Sequence, residues 1–321
     1  MGSKTFKNFV DVSVVIVNYN ALDLLDNCIY SIIKFACGFT FDIIVVDNNS
    51  KELRLEEITT KYPDLVFIKN DKNIGFAAAN NIGFKNAKGK YILILNNDTV
   101  FYENSIKKII EFAESIEQEV FIGCKLLNED GSHQISVVDF DTISNSFGEN
   151  FFFYKLFPKS KFFNRFHLNY KQIDKPTEVD VVKGAFIFCS ASAIKKLNGF
   201  DTRFFFYGEE TDLCFRFKKS GGKVYYFPST SIYHLGGATT DKNLWFKFKN
   251  QSIAKIQIYQ KHYKGIESFL LKTFHFIGIL IRVPLYFWAG FLTLKKSLII
   301  KSYYYFRTLF VYPSNKFKTN D

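Results

Sequence analysis

Residues 91–101 read YILILNNDTVF. Tyr91 to Leu95 are bulky and apolar or β-branched, as in a strand buried on both faces, but the run ends on Asn96, Asn97, Asp98 and Thr99. Two amides and a carboxylate are costly to bury without partners. A plain turn is one explanation, since Asn and Asp dominate turns. The pattern recurs, however. VSVVIVNYN closes on Asn18, Tyr19 and Asn20, and FDIIVVDNNS closes on Asp47, Asn48 and Asn49. In open α/β sheets the ligand crevice lies outside the carboxyl ends of the strands. Polar clusters at three such ends point to recognition of a polar ligand more than to three unrelated turns. Other chemistry-bearing residues carry plainer alternatives. Asp47 suits the N-cap of a helix starting at Ser50 or Lys51. Glu209 and Glu210 open a helix whose dipole favours acids there. Asp212 and Arg216 are spaced to pair on that helix, and His234 before Leu-Gly-Gly suits a hydrogen-bonded loop.

The elements that would position these residues alternate. Strands are expected at 12–19, 41–46, 65–68 and 91–95, separated by a helix whose apolar residues Leu24, Leu25, Cys28, Ile29, Ile32 and Ile33 repeat at helical spacing, a short helix, and an Ala-rich helix over 76–87. Such alternation predicts a parallel sheet covered by helices on both faces. Further strands are expected at 120–127 and 179–189, and a helix runs from about Glu209 to a stop at Gly221. Residues 223–237 read as a strand pair or a strand and loop. Residues 133–178 show no clear period and are crowded with Phe, Tyr and Lys, and a loop that long is uncommon unless functional.

The 321 residues carry a net charge of +11. From Lys242 onward there are fourteen Lys or Arg against two acids, Glu267 and Asp321, so the basic excess sits in the tail. That division predicts a domain over 1–240 and a basic, hydrophobic helical tail over 241–321, with a membrane or nucleic-acid partner for the tail. Nucleic acid fits poorly, because the tail's aromatics sit among aliphatics and not between separated basic residues. Two apolar runs, 273–281 and 283–294, flank Arg282, and each falls short of the roughly 20 residues a span needs. Interfacial helices are the expectation, with a cap packed on the rest of the protein as the alternative. Five scattered cysteines without a CxxC pair suggest reduced thiols in a cytoplasmic protein. The sequence leaves the oligomeric state open.

No GxGxxG follows the first strand and no GxxxxGK[ST] is present, which argues against dinucleotide and P-loop folds. The ordered set VSVVIVNYN, IIVVDNNS, NIGFAAANNIG, YILILNNDT, VVKGAFIFCSASAIKKLNGFDTRFFFYGEETDLCFR and IYHLGG, over about residues 11–240, resembles the family 2 glycosyltransferases of GT-A fold, in particular their rhamnosyltransferase-like branch. The resemblance implies an α/β fold with a Rossmann-like mixed sheet, and a nucleotide-sugar site made by Val17, Tyr19, Asn20, Asp47, Asn49, Asn73, Gly75, Asn80, Asn96, Asn97 and Asp98, with Asp47 accepting the N3 proton of the base. Asn96-x-Asp98 falls on the family's DxD motif with Asn in the first place. That leaves Asp98, with His234, as the implied ligands of Mg²⁺ or Mn²⁺. In YGEETDLCFR the implied catalytic base is Glu210, where Asp is usual, with Glu209 beside it. Gly184, Ala185, Asp201 and Asp212 fall on the acceptor side.

The implied reaction is inverting transfer of one sugar from a nucleoside-diphosphate sugar, dTDP-rhamnose being favoured, to a lipid-linked or polysaccharide acceptor at the cytoplasmic membrane surface. A hexose or galactofuranose is the alternative cargo. The departures at Asn96 and Glu210 keep open a catalytically silent nucleotide-sugar-binding subunit. No QxxRW motif is present, which disfavours a processive synthase.

Overall fold

The computed structural model describes residues 10–51, 54–163, 173–236 and 243–311; the expected domain boundary at residue 240 lies outside them. The chain forms two compact units. The first comprises Met1–Val137, Ile173–Phe205 and Asp212–Thr239, and the second Val138–Gln172, Phe206–Thr211 and Thr240–Asp321.

The elements run β1 (Val10–Asn18), α1 (Leu22–Phe35), β2 (Phe41–Asp47), α2 (Leu55–Lys61), β3 (Val66–Lys69), α3 (Phe76–Asn86), β4 (Gly89–Asn96), β5 (Thr99–Val100), α4 (Ser105–Glu114) and β6 (Val120–Leu127). There follow β7 (His133–Gln134), β8 (Val137–Val138), α5 (Ile143–Asn150), α6 (Phe153–Leu156), β9 (Thr177–Glu178), β10 (Val181–Val182), β11 (Phe186–Ser190), α7 (Ala191–Lys196), α8 (Glu209–Lys219) and β12 (Lys223–His234). The chain closes on α9 (Leu244–His262), α10 (Gly265–Thr293) and α11 (Lys296–Val311). Residues 223–234, expected as a pair or a strand and loop, make one long strand with a register shift between Phe227 and Ser231. The aperiodic stretch after residue 133 contains a true helix, α5. A capping box explains its start: Thr142 Oγ1 accepts from Asn145 N at 3.2 Å, and Thr142 N donates to Asn145 Oδ1 at 2.7 Å.

The first unit is built on a mixed sheet of order β3-β2-β1-β4-β11-β6-β12-β5. β3, β2, β1 and β4 are parallel neighbours, β11 is antiparallel to β4 and β6, and β12 is parallel to β6. Val14, Ile16, Val45, Leu93 and Leu95 are buried with Leu25, Ile29 and Ile32 of α1 in one core cluster. The opposite face of β1 receives α3. There a Cβ on Gly83 would fall onto Val15 Cγ1, so the helix approaches the sheet at a distance only glycine permits. Register then aligns the strand ends, with Asn18 beside Asp47 and Val17 beside Asn96.

In the second unit α5, α9, α10 and α11 pack around several buried and half-buried polar groups. Lys255 Nζ donates to Glu149 Oε2 at 2.8 Å, and the Tyr259 hydroxyl donates to Asp141 Oδ2 at 2.8 Å. The two short apolar runs expected in the tail form a single continuous helix, α10, with Pro284 inside it. Arg282 does not interrupt it, because its guanidinium donates to Gly278 O one turn back and to the carbonyls of Glu149 and Asn150.

Gly83→Ala should lower unfolding stability by about 1–3 kcal/mol, the usual cost of overpacking a close-packed contact. Urea denaturation checks this. The double variant Val15→Ala/Gly83→Ala should be more stable than the sum of the single effects, because the smaller residue makes room for the added methyl.

Candidate functional site

The strand ends of the first unit are held by one network. Asp47 is fully buried. Its Oδ1 accepts from Asn18 Nδ2 at 2.9 Å and Ser50 Oγ at 2.5 Å, and its Oδ2 accepts from Ser50 N at 2.9 Å. The carboxylate expected to meet a base N–H is thus occupied by its own neighbours, and Asp47 positions the loop instead of presenting an open acceptor. Asn18 Oδ1 in turn accepts from Asn97 Nδ2 at 2.9 Å, tying the first strand end to the fourth. Asn48, part of the second strand-end cluster but not among the implied site residues, is the second hub. Its amide donates to Asn73 Oδ1 and Gly75 O, and its oxygen accepts from Asn70 Nδ2 and Ile74 N. Gly75 has φ of 88°, and a Cβ there would sit 2.6 Å from Phe205 O.

The remaining expected residues line this rim. Val17 is buried and Tyr19 half-buried. Asn20 and Asn49 take positive φ of 51° and 66°, which Asn tolerates better than most residues. Asn20 Oδ1 accepts from Lys51 N at 2.9 Å. Asn80 is buried; its Nδ2 donates to Phe76 O while its Oδ1 finds no partner.

Pairing of β12 with β5 decides the neighbours of Asp98. The strands are antiparallel with His234 opposite Thr99, and Leu235 N donates to Asp98 O at 2.9 Å. His234 Nε2 consequently lies 3.3 Å from Asp98 Oδ1 and 3.3 Å from Asn96 Nδ2. Asn96 is itself fixed by its N–H to Ala185 O at 3.1 Å. The imidazole orientation follows from Gln134. The Gln134 amide nitrogen faces two acceptors, Asn128 Oδ1 at 2.9 Å and His234 O at 3.3 Å, so its oxygen faces His234 Nδ1 at 2.5 Å. An amide oxygen only accepts, so Nδ1 carries the proton and a neutral ring turns its Nε2 lone pair toward Asp98 Oδ1. Asn96 Nδ2 donates to that lone pair, which leaves Asp98 Oδ1 as the oxygen without a donor. A buried carboxylate oxygen beside a neutral imidazole suits a divalent cation, with Gln134 as the outer partner that metal-bound histidines usually have. Among the described residues no cluster of three His, Cys, Asp or Glu accompanies them. Two protein ligands leave most positions for diphosphate and water, as hard cations at phosphate sites commonly do.

The expected acceptor-side acids are engaged. Asp212 is buried and paired with Arg216 at 2.8 Å, and Arg216 also donates to Leu197 O and Gly199 O. Asp201 pairs with Arg203 at 2.6 Å. Both hold the chain around Gly199 and are poorly placed to serve as free acids. Gly184 and Ala185 precede β11, where the Ala185 carbonyl holds Asn96 as above.

Glu209 and Glu210 begin α8, behind Tyr207 and Gly208 at φ of 72° and 86°. Each keeps a buried Oε2 without a hydrogen-bond partner. Burial, and then the neighbouring Glu210, push the Glu209 carboxyl well above the usual range. Folding therefore favours protonated Glu209. Its penalty is absent below the unfolded value of about 4.3 and grows as pH rises toward the folded value. Glu209→Gln, which cannot ionise, should raise the thermal midpoint by a margin that widens between pH 4.5 and pH 8; a margin independent of pH would show that the proton is not held there.

Comparison with known proteins fits this geometry. Residues 13–189 match the family profile "Glycosyl transferase family 2", and residues 164–236 match "N-terminal domain of galactosyltransferase". The chain is 29% identical over 199 residues to Rhamnosyltransferase WbbL of Escherichia coli, covering 60% of this chain and 72% of that protein. It is 31% identical over 126 residues to the minor teichoic acid biosynthesis protein GgaB of Bacillus subtilis, covering 38% of this chain and 14% of that one. In structure it is similar to the mannosyltransferase PcManGT of Pyrobaculum calidifontis, solved with GDP-Man and Mn²⁺, at a TM-score of 0.56 and 13% identity over 98% of this chain and 88% of that one. GalNAc-T7, solved with UDP, GalNAc and Mn²⁺, gives 0.54 and 16% identity over 84% and 55%. These likenesses give the fold as GT-A. With more than half of its residues matched to one family profile and the strand-end site built as above, the chain belongs to glycosyl transferase family 2.

Proposed function

We propose that this glycosyltransferase moves one sugar, with inversion, from a nucleoside-diphosphate sugar to a lipid-linked or polysaccharide acceptor in cell-surface glycan synthesis, working at the cytoplasmic face of the membrane. The likeness to a rhamnosyltransferase over most of that protein's length supports dTDP-rhamnose as donor. The observation that carries the reading is the buried, donorless Asp98 Oδ1 facing the His234 lone pair.

The nucleotide lies across the strand ends, against Tyr19, Asn20, Asn49 and Asn73, while Asn18, Asp47 and Asn48 keep those loops in place. Asp98 and His234 hold a divalent cation, which when bound neutralises charge growing on the departing diphosphate. Burial and the neighbouring acid push the Glu209 carboxyl up, which favours its protonated form and makes it the poorer proton acceptor of the two, and Glu210 is assigned as the base. As the acceptor oxygen forms its bond to the anomeric carbon, the bond from that carbon to the diphosphate oxygen breaks, and the hydroxyl proton passes to Glu210. One displacement of this kind inverts the anomeric centre. Asn96 supplies no charge, so the cation should bind weakly alone and firmly with the diphosphate.

Calorimetry with Mn²⁺ and dTDP tests the site. Asp98→Ala should abolish the Mn²⁺-dependent part of dTDP binding, and Asn96→Asp should tighten binding of Mn²⁺ alone. Equal dTDP affinity with and without Mn²⁺ in the parent protein would remove the metal from the reading. Glu210→Gln should keep donor binding and lose about 10²–10⁴ in transfer rate, whereas Glu209→Gln should be milder; the reverse order would move the base to Glu209.

A further inference from the structure

The second unit exposes an apolar surface that none of its described residues covers. On α10, Phe269, Phe276, Leu280, Phe287 and Phe291 are all exposed. At about 100° per residue their spacing of seven, four, seven and four places them within roughly 60° of one another, one stripe along the helix. On α11, Ile299, Tyr303, Phe306 and Phe310 are exposed and form a stripe of the same width. The two helices are antiparallel neighbours. Val283 O accepts from Ser302 Oγ at 2.7 Å, Tyr286 stacks on Tyr305 at 5.5 Å, and Gly290 lies against Ile299.

Each stripe lies about a quarter turn from its helix's packing side, in the same rotational sense along the chain. Because the helices run in opposite directions, an equal sense puts both stripes on the same side of the hairpin. The other side of α10 carries buried Ser268, Leu271 and Gly278, where it meets the rest of the unit. No exposed residue of α10 between Phe269 and Leu294 is charged. The exposed cations nearest α10 lie at its ends, with Lys264 before it and Lys295 and Lys296 at the turn into α11, while Lys301 is exposed within α11, about half a turn from that helix's stripe.

We propose that this face is seated flat in one leaflet of an anionic membrane, as a monotopic hairpin. The proposal deepens the membrane-surface reading above and is independent of which sugar is transferred. α10 is long and apolar enough to cross a bilayer by length and composition, but it is held at its middle. Ser268 Oγ donates to Tyr259 O, His275 Nε2 meets Ser252 Oγ, and Arg282 is bound to the carbonyls at the end of α5. The helix beyond Arg282 reaches about 18 Å, against about 30 Å of hydrocarbon, and it ends on two lysines. A flat seat buries the stripes in the acyl boundary and leaves the terminal lysines at the headgroups, the arrangement of interfacial helices. The excess of Lys and Arg over acid in this part of the chain supplies the charge complementarity for an anionic lipid surface in preference to a second, equally basic copy of the chain.

The test uses full-length protein and vesicles of phosphatidylcholine with and without phosphatidylglycerol. The parent should cosediment with the anionic vesicles. Phe276→Glu/Phe287→Glu should lower partitioning at least tenfold while its thermal midpoint and its Mn²⁺-dependent dTDP binding stay unchanged, since both side chains face outward. In a Trp245→Phe background, Trp288 fluorescence should be quenched more by lipids brominated near the headgroup than by those brominated near the chain end. Absence of binding by the parent overturns the membrane reading itself. Binding that survives the double substitution overturns the assignment of the face, and quenching strongest at the chain ends overturns the flat, one-leaflet seat. If the parent is instead a dimer that the double variant splits, and neither binds vesicles, the face belongs to a second copy and the proposal fails.

Discussion

A strand buried on both faces can end in polar side chains only where those groups find partners, and in this protein three adjacent strands end in register. The first unit depends on that constraint. Asn18, Asp47 and Asn96 arrive together because their strands pair in parallel, and the cost of burying Asn18 and Asp47 is offset by bonding them to each other and to Asn97 and Ser50. Asp47 is spent on this, with Ser50 and Asn18 taking both of its oxygens. Asn48 does the same for the loop that leads into α3, where Gly75 lets the backbone pass close to Phe205. The rim that results is rigid because the residues beneath it are satisfied.

The exceptions to satisfaction are informative against that background. Asp98 Oδ1 is buried without a donor, and the ring atom nearest to it is a lone-pair nitrogen whose tautomer Gln134 imposes. In the other unit Glu209 and Glu210 crowd two carboxyls into one helix start, and burial together with Glu210 pushes the Glu209 carboxyl well above the usual range. Both features are unfavourable in isolation. Strain of this kind persists where the surrounding structure holds it, and the sheet edge and the Tyr207–Gly208 turn supply that support. In the second unit half-buried Lys255 and Glu149 join buried Asp141 and Tyr259 in a polar cluster that fixes α5 against the helices around it, and Arg282 uses the same carbonyl-rich helix end to hold α10 at mid-length.

Much of this was legible in the residues. Periodicity located the first four strands and their helices to within a few positions, because apolar runs and amphipathic spacing are local properties of the chain. The polar strand ends were legible for the same reason, as was the basic tail. Gln134 was not, since a lone Gln in a two-residue strand carries no pattern, and neither was the role of Asn48 as a hub, since its partners Asn70, Asn73, Ile74 and Gly75 come from the next loop. The pairing of Asp212 with Arg216 was legible in their spacing, whereas the partners of Asp47 and Asp201 were not, because a carboxylate's partners are set by what folds against it: Ser50 and Asn18 for the one, Arg203 for the other.

By itself the sequence determined an α/β domain whose strands end in polar groups, and a tail too apolar and too basic to be an ordinary surface. Tertiary structure decided which of those polar groups are consumed and which are left over. His234 meets Asp98 across 136 positions of chain only because β12 runs antiparallel to β5. The two tail stripes share a side only because α10 and α11 pack in opposite directions. Hydrophobic period is written into neighbouring residues, whereas pairing between distant strands and the satisfaction of buried charge are settled only when the whole chain has closed.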